Sequence, residues 1–161
     1  CCNRCLTLNP FRARVYLAFC PNVLTQWSFR GKCEMSGTDN AYLLDTNIFI
    51  YYFNGEAILT PLFEGILAET ATGYYCPISW VELLCYPALT EDEANQIRDF
   101  LRQLRCVDLT ESILDTAAQI RRDYRVALAD AMIAACALAT ASTLVTRNST
   151  DFSRINGLTL S

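Results

Sequence analysis

The chain has 161 residues, 52% of them hydrophobic and 19% charged, with a formal net charge of −4. This length suits one domain able to bury a core, and six glycines and five prolines exclude low complexity. No run approaches the ~18 apolar residues of a membrane span, and the absence of histidine excludes Ser-His-Asp or Cys-His nucleophile pairs and His-ligated zinc.

Charge divides the chain at Met35. Residues 1–34 hold five cysteines and five basic residues against one acid, whereas residues 35–161 hold eight arginines and sixteen acids. A basic leader, net +4, therefore precedes an acidic domain, net −8. The leader keeps neither strand nor helix period for long. Arg12 and Arg14 precede Val15–Cys20 in the manner of a secretion signal, but six apolar residues without a small-residue cleavage site are too few. Cys2 and Cys5 form a C-x-x-C with no second pair at zinc-ribbon spacing. We read residues 1–34 as an N-terminal extension, non-native or disordered, with Met35 as the natural start. Residues 35–161 are read as the working domain.

In that domain Ala41–Leu44 is a compact apolar run that reads as a buried strand ending at Asp45. Thr46–Phe53 is apolar on most sides and closes at Asn54-Gly55. Residues 57–69 have helical spacing through Ile58, Leu62, Ile66 and Leu67, with Pro61 tolerated in the first turns. Gly73 precedes a second strand over Tyr74–Ile78, and Ser79 offers an N-cap to a helix that Pro87 stops. Thr90 and Glu93 have capping-box spacing and open a helix with Ala94, Ile97, Leu101 and Leu104 inward. Cys106–Leu109 reads as a third strand. Thr110 caps a helix whose inward residues are Ile113, Leu114, Ala117 and Ile120. Residues 128–141 are almost wholly small and apolar and predict a helix buried on most sides. Thr143–Thr146 is a fourth strand and Leu158–Leu160 a candidate fifth. Strands separated by helices imply right-handed crossovers and a mainly parallel sheet of four to five strands, in a three-layer α/β/α domain. Cys76, Cys85, Cys106 and Cys136 each sit in an apolar stretch, as buried reduced thiols do, which points to a cytosolic compartment.

Most acids occupy expected solvent faces, but four do not. Asp45 ends the first strand, Glu82 lies early in the helix after the second, Asp130 heads the most apolar helix, and Asp151 follows the fourth strand. An ionised carboxylate in an apolar setting costs several kcal/mol unless it is paired or binds a cation. Each alone has a bland explanation, an N-cap for Asp130 or an arginine partner for Glu82. Together they converge, because residues just past the carboxyl ends of parallel strands meet at one crevice. Oxygen ligands without His or an available Cys suit Mg²⁺ or Mn²⁺.

These residues carry a resemblance. Leu43-Leu44-Asp45-Thr46-Asn47, Ser79-Trp80-Val81-Glu82-Leu83-Leu84, Ala129-Asp130-Ala131-Met132-Ile133-Ala134-Ala135 and Val145-Thr146-Arg147-Asn148-x-x-Asp151-Phe152 resemble the four motifs of PIN-domain proteins. The resemblance is closest to the VapC-like ribonuclease toxins of toxin–antitoxin operons, and it spans residues 41–160. It implies a metal-dependent endoribonuclease of the bacterial or archaeal cytoplasm, a homodimer held inactive by a cognate antitoxin that covers the acidic site. It makes Asp45, Glu82 and Asp130 the principal acids and Asp151 the fourth. Asn148 stands where many family members carry an acid, which leaves one or two metals open. Thr46 and Asn47 match the family's Asp-Thr-Asn, as supports for the first carboxylate or as a polar turn after the strand.

A domain at −8 needs local positive charge to hold RNA. Arg121, Arg122, Arg125 and Arg147 are the candidates, unless the first three pair with Asp115 or Asp123. Tyr51, Tyr52 and Phe53 read as core or dimer contacts. Three further functions compete: a housekeeping RNA-processing nuclease, a non-catalytic metal- or partner-binding module, and an aspartyl-phosphate phosphohydrolase. The last needs a general-acid Asp at position 47, which is Asn, and a lysine, which residues 35–161 lack.

Overall fold

The computed structural model describes residues 40–161. The expectations for residues 1–34 and for a Met35 start lie outside the described residues. Strand β1 is Ala41–Leu44, as the apolar run predicts. It pairs in parallel with β2 (Thr72–Tyr75) on one side and β4 (Thr143–Val145) on the other, and β3 (Arg105–Cys106) pairs with β2, giving the order β3-β2-β1-β4. Leu43 and Leu44 are both fully buried, in different core clusters. Successive strand residues point to opposite faces, so both faces of this sheet are covered.

The helices supply the covers. On one face α1 (Thr46–Phe53), α2 (Thr60–Leu67), α3 (Pro77–Leu84) and α4 (Glu91–Leu101) contribute Phe49, Phe63, Leu83 and Leu101. On the other, α5 (Glu111–Tyr124) and α6 (Leu128–Ala139) contribute Ile120 and Ile133, with Phe152 from the short α7 (Ser149–Phe152). The result is the expected three-layer α/β/α domain with a parallel four-stranded sheet. Helix α4 follows its sequence signals closely: the Thr90–Glu93 capping box is formed in both directions, and Ala94, Ile97, Leu101 and Leu104 are buried. No described helix is long and apolar enough to cross a membrane.

Several expectations are corrected. The fifth strand reduces to a single parallel bridge between Leu144 and Leu160, because Gly157 turns the chain at φ 80° just before it. Strand β2 starts at Thr72, contains Gly73 and stops before Cys76, since Pro77 opens α3 at a position needing no N–H. Gly73 belongs in the strand for a steric reason: a Cβ there would lie 2.7 Å from Ile66 Cγ2. Ser79 is consequently inside α3 and fully buried rather than an N-cap. Strand β3 lies at Arg105–Cys106, ahead of the expected Cys106–Leu109.

Two helix faces are also rotated. Residues 57–59 form a 3₁₀ turn before α2, and Leu59, Phe63 and Ile66 face the core, leaving Ile58 51% and Leu67 42% exposed. The Phe63 ring sets that rotation by joining Phe49, Tyr52 and Phe100 at centroid distances of 6.0, 3.9 and 5.5 Å. In α5, Ile113, Ala117 and Ile120 form the buried stripe, and Leu114 falls at its edge, exposed. Cys76 and Cys136 are buried free thiols, but Cys85 caps the end of α3 and Cys106 lies on an edge strand, so both are exposed.

Candidate active site

The sheet register brings the site together. Leu44 lies beside Val145 on one side and Tyr75 on the other, so the next residues, Asp45, Thr146 and Cys76, emerge side by side at the carboxyl edge. Asp45 occupies the N-cap position of α1 with extended backbone, yet its carboxylate makes no capping bond. Instead Asp45 Oδ2 accepts from Thr146 Oγ1 at 2.6 Å and from Asn47 Nδ2 at 2.7 Å. Asn47 Oδ1 in turn faces the Arg147 amide at 3.5 Å. Asp45 and Thr146 are both buried, at 5% and 3% exposure.

Glu82 is held one layer away by the residue after Asp45. Thr46 Oγ1 lies 2.5 Å from Glu82 Oε2 and 2.8 Å from Ser79 Oγ. Thr46 Oγ1 is placed to donate to either oxygen; a hydroxyl has one proton, and the carboxylate is the stronger acceptor, with Ser79 Oγ packed beside it. This chain explains why a serine is fully buried inside α3. Asp130 lies in the first turn of α6 and is half-buried, where the helix dipole favours a negative charge. Asp151 sits in α7, where Oδ2 accepts from Asn148 Nδ2 at 3.1 Å and Oδ1 from Arg154 at 3.3 Å. The Asn148 amide also donates to Thr146 Oγ1 at 3.0 Å, joining the Asp151 turn to the Asp45 pocket.

Electrostatics tie the four acids into one group. Burial raises the Asp45 carboxyl from 3.8 to about 6, and the charges of Asp130 and Glu82 add to the rise against hydrogen bonds that oppose it. Asp130 is also raised, first by burial and then by Asp151 and Glu82. Asp45, Glu82 and Asp130 form no ion pair among the described residues, and Asp151 alone has an arginine partner, Arg154. Among the described residues no three carboxylates or thiols close into a finished metal cage. The residues nevertheless fit a hard divalent cation: they offer oxygen atoms only, Asp45, Glu82 and Asp130 have no ion pair among the described residues, and the side-chain hydrogen bonds found to Asp45 and Glu82 fall on Asp45 Oδ2 and Glu82 Oε2.

The candidate RNA-binding arginines separate. Arg147 joins the acidic edge through its backbone, and its guanidinium carbon lies 3.9 Å over the Tyr51 ring. Tyr51 and Tyr52 pack against the core cluster beside the buried Phe53, as expected, and Tyr51 in addition carries the Arg147 guanidinium on its ring. Arg121 donates to the Val126 carbonyl at 3.1 Å and Arg122 to Gln119 at 2.9 Å, while Arg125 ends α5 in the left-handed region. None pairs with Asp115 or Asp123 among the described residues; Gln119 takes Asp123 instead. Arg121 and Arg122 flank an apolar groove with Leu114, Leu128 and Met132 rather than the acidic crevice. Sequence reasoning missed Ser79 as a site residue, passed over Thr146 as a support and did not single out Arg154. Only the i, i+3 spacing from Asp151 marks the last.

Fold and site together define a parallel α/β domain with an acidic crevice at the carboxyl edge of its sheet. The family model for the PIN domain matches residues 42–158, and the chain belongs to that family. A toxin–antitoxin complex from Klebsiella pneumoniae contains a chain 28% identical to this one, with a TM-score of 0.62 over 73% of this chain and 94% of that one. VapBC2 from Rickettsia felis, bound to a DNA fragment from its promoter, matches at 25% identity and a TM-score of 0.63, over 75% and 97%. VapBC from Salmonella typhimurium shares the fold at 24% identity and a TM-score of 0.63, over 75% and 96%. No curated protein sequence matches significantly.

Proposed function

We propose that this chain is a Mg²⁺- or Mn²⁺-dependent endoribonuclease acting as the toxin of a toxin–antitoxin pair in the cytoplasm. The observation that carries the reading is the buried Asp45 carboxylate, grouped with Glu82 and Asp130 and left without a cationic partner among the described residues. Asp45, Glu82 and Asp130 would hold the cation, with Asp151 at the outer end. The toxin–antitoxin complexes among its structural relatives favour the toxin role over housekeeping RNA processing. They likewise support a cognate antitoxin as partner, and family resemblance supports a homodimer.

A bound divalent ion supplies a more acidic water and charge stabilisation at the phosphodiester oxygens. The chain's own residues prepare that chemistry. Thr146 and Asn47 hold Asp45 Oδ2, fixing the carboxylate in one orientation. Thr46, backed by Ser79, does the same for Glu82 Oε2. Such supports keep ligands where the reaction needs them. Asn148 orients Asp151, and the guanidinium of Arg147 offers positive charge at the mouth of an otherwise anionic edge. Water as the nucleophile removes any need for a histidine base or a covalent intermediate.

The test is cleavage of an end-labelled RNA pool by the purified chain with Mg²⁺ or Mn²⁺, with EDTA, and by Asp45→Asn and Asp130→Asn. The reading expects cleavage that EDTA and either substitution abolish while circular dichroism is unchanged. Cleavage by Asp45→Asn at the parent rate contradicts it.

A further inference from the structure

Beside the carboxylate crevice lies a second concavity of about 230 Å³, lined by Ile48, Tyr51, Glu56, Ile58, Leu59 and Arg147. Its position follows from residues already placed. Ile48 is next to Asn47 and Arg147 next to Thr146, and both Asn47 and Thr146 hydrogen-bond Asp45. The Arg147 amide faces Asn47 Oδ1 at 3.5 Å. The concavity therefore opens within reach of the same acidic edge.

Its walls have a particular chemistry. The Arg147 guanidinium lies over the Tyr51 ring at 3.9 Å, so cation and aromatic face form one stacked unit. Ile58 at the lip is 51% exposed, an apolar edge open to solvent. Glu56 is drawn to the same wall because its amide donates to the Tyr51 carbonyl at 3.1 Å, folding the turn after α1 back on itself. Flat aromatic and guanidinium surfaces stack unpaired bases, and base edges are then read by hydrogen bonds. A carboxylate accepts only, so it selects an edge rich in N–H donors. Guanine presents two parallel donors on its Watson–Crick edge, whereas uracil presents one.

We propose that this concavity seats a nucleobase of the RNA next to the scissile phosphate, stacked on the Tyr51–Arg147 unit, with Glu56 selecting guanine. The proposal rests on the ribonuclease reading above and assigns to it a base preference. Tyr51 is the stacking residue, and Glu56 is a specificity residue that touches the base and takes no part in bond cleavage.

The experiment has two arms. In the first, the parent and Glu56→Gln digest a random-sequence RNA pool, and the bases flanking each cut are counted. The parent is expected to favour G at one flanking position, and Glu56→Gln to reduce that preference by roughly tenfold. The readout is a ratio within one digest, so it does not depend on how much protein is folded. In the second arm, single-stranded pentanucleotides carrying G or U are titrated against Asp45→Asn alone and with Glu56→Gln or Tyr51→Ala. The G-over-U preference is expected to vanish with Glu56→Gln, and affinity for both to fall about tenfold with Tyr51→Ala. Failure of the parent to cleave any RNA overturns the nuclease reading, while the binding arm still decides the base seat. An unchanged flanking-base profile and unchanged pentanucleotide affinities overturn the base seat and leave the concavity to a protein side chain.

Discussion

The two ends of the acidic crevice solve the same electrostatic problem differently. At the Asp45 end the carboxylate is buried, gripped by Thr146 and Asn47, and faces other acids. At the Asp151 end the side chain is 44% exposed, and Arg154 and solvent share its charge. A neutralised, exposed acid can tolerate change, because surface ion pairs contribute little. A buried, unneutralised one is a standing cost unless something binds it. On the function proposed above, this contrast would make Asp45 the essential ligand and Asp151 a tuning residue.

The sharpest break in that comparison is a pair of substitutions. Asp45→Asn is expected to lower RNA cleavage by about 10³-fold or more, with the metal-free melting temperature unchanged or raised because a buried charge is gone. Asp151→Asn should cost less than about tenfold. Equal losses would erase the distinction. Next comes Thr146→Val, which deletes the hydroxyl held against Asp45 but keeps the shape of the side chain. We expect a 10–100-fold loss of cleavage and an increase in the metal concentration needed for half-maximal rate, measured by Mn²⁺ titration of activity.

Stability against pH, taken as the difference between the parent and Asp45→Asn, probes the Asp45 carboxyl. The Asp45 carboxyl titrates near 6 in the folded protein against an ordinary value of 3.8. Folding thus favours its protonated form, and the contribution is fully present below the ordinary value and lost as pH rises through about 6. The displacement corresponds to about 3 kcal/mol at most. Metal-free protein should therefore gain melting temperature between pH 7.5 and pH 5 relative to Asp45→Asn, and saturating Mg²⁺ should flatten the trend. A parent and variant with parallel profiles would show that Asp45 is not strained. The smallest effect belongs to Arg154→Ala, where the exposed pair with Asp151 is worth less than about 1 kcal/mol. Chemical denaturation should find the variant close to the parent, with cleavage changed a few-fold at most.

What the sequence showed, and what it hid, follows the range of the forces involved. Strand β1, the alternation of elements and the α4 capping box were legible because each rests on residues close together in the chain. The four acids were legible because carboxylates are out of place in apolar runs. Helix rotation was not. Leu114 and Ile58 look as apolar as their neighbours; beside Ile58 the packing of Phe63 against Phe49 and Phe100 decides which face turns inward, and in α5 the core on the other face of the sheet takes Ile113, Ala117 and Ile120 instead of Leu114. Ser79 reads locally as an N-cap, but its hydroxyl serves Thr46, 33 positions earlier. Thr146 reaches Asp45 across 101 positions, through a register that only the folded sheet defines.

Manganese binding measured calorimetrically on metal-free protein at pH 7.5 goes straight to whether the carboxylates act together. One or two ions should bind to the parent, with affinity reduced at least about tenfold by Asp45→Asn and by Asp130→Asn, and far less by Asp151→Asn. Binding that survives Asp45→Asn undiminished, or a parent that takes up no ion, would contradict the account.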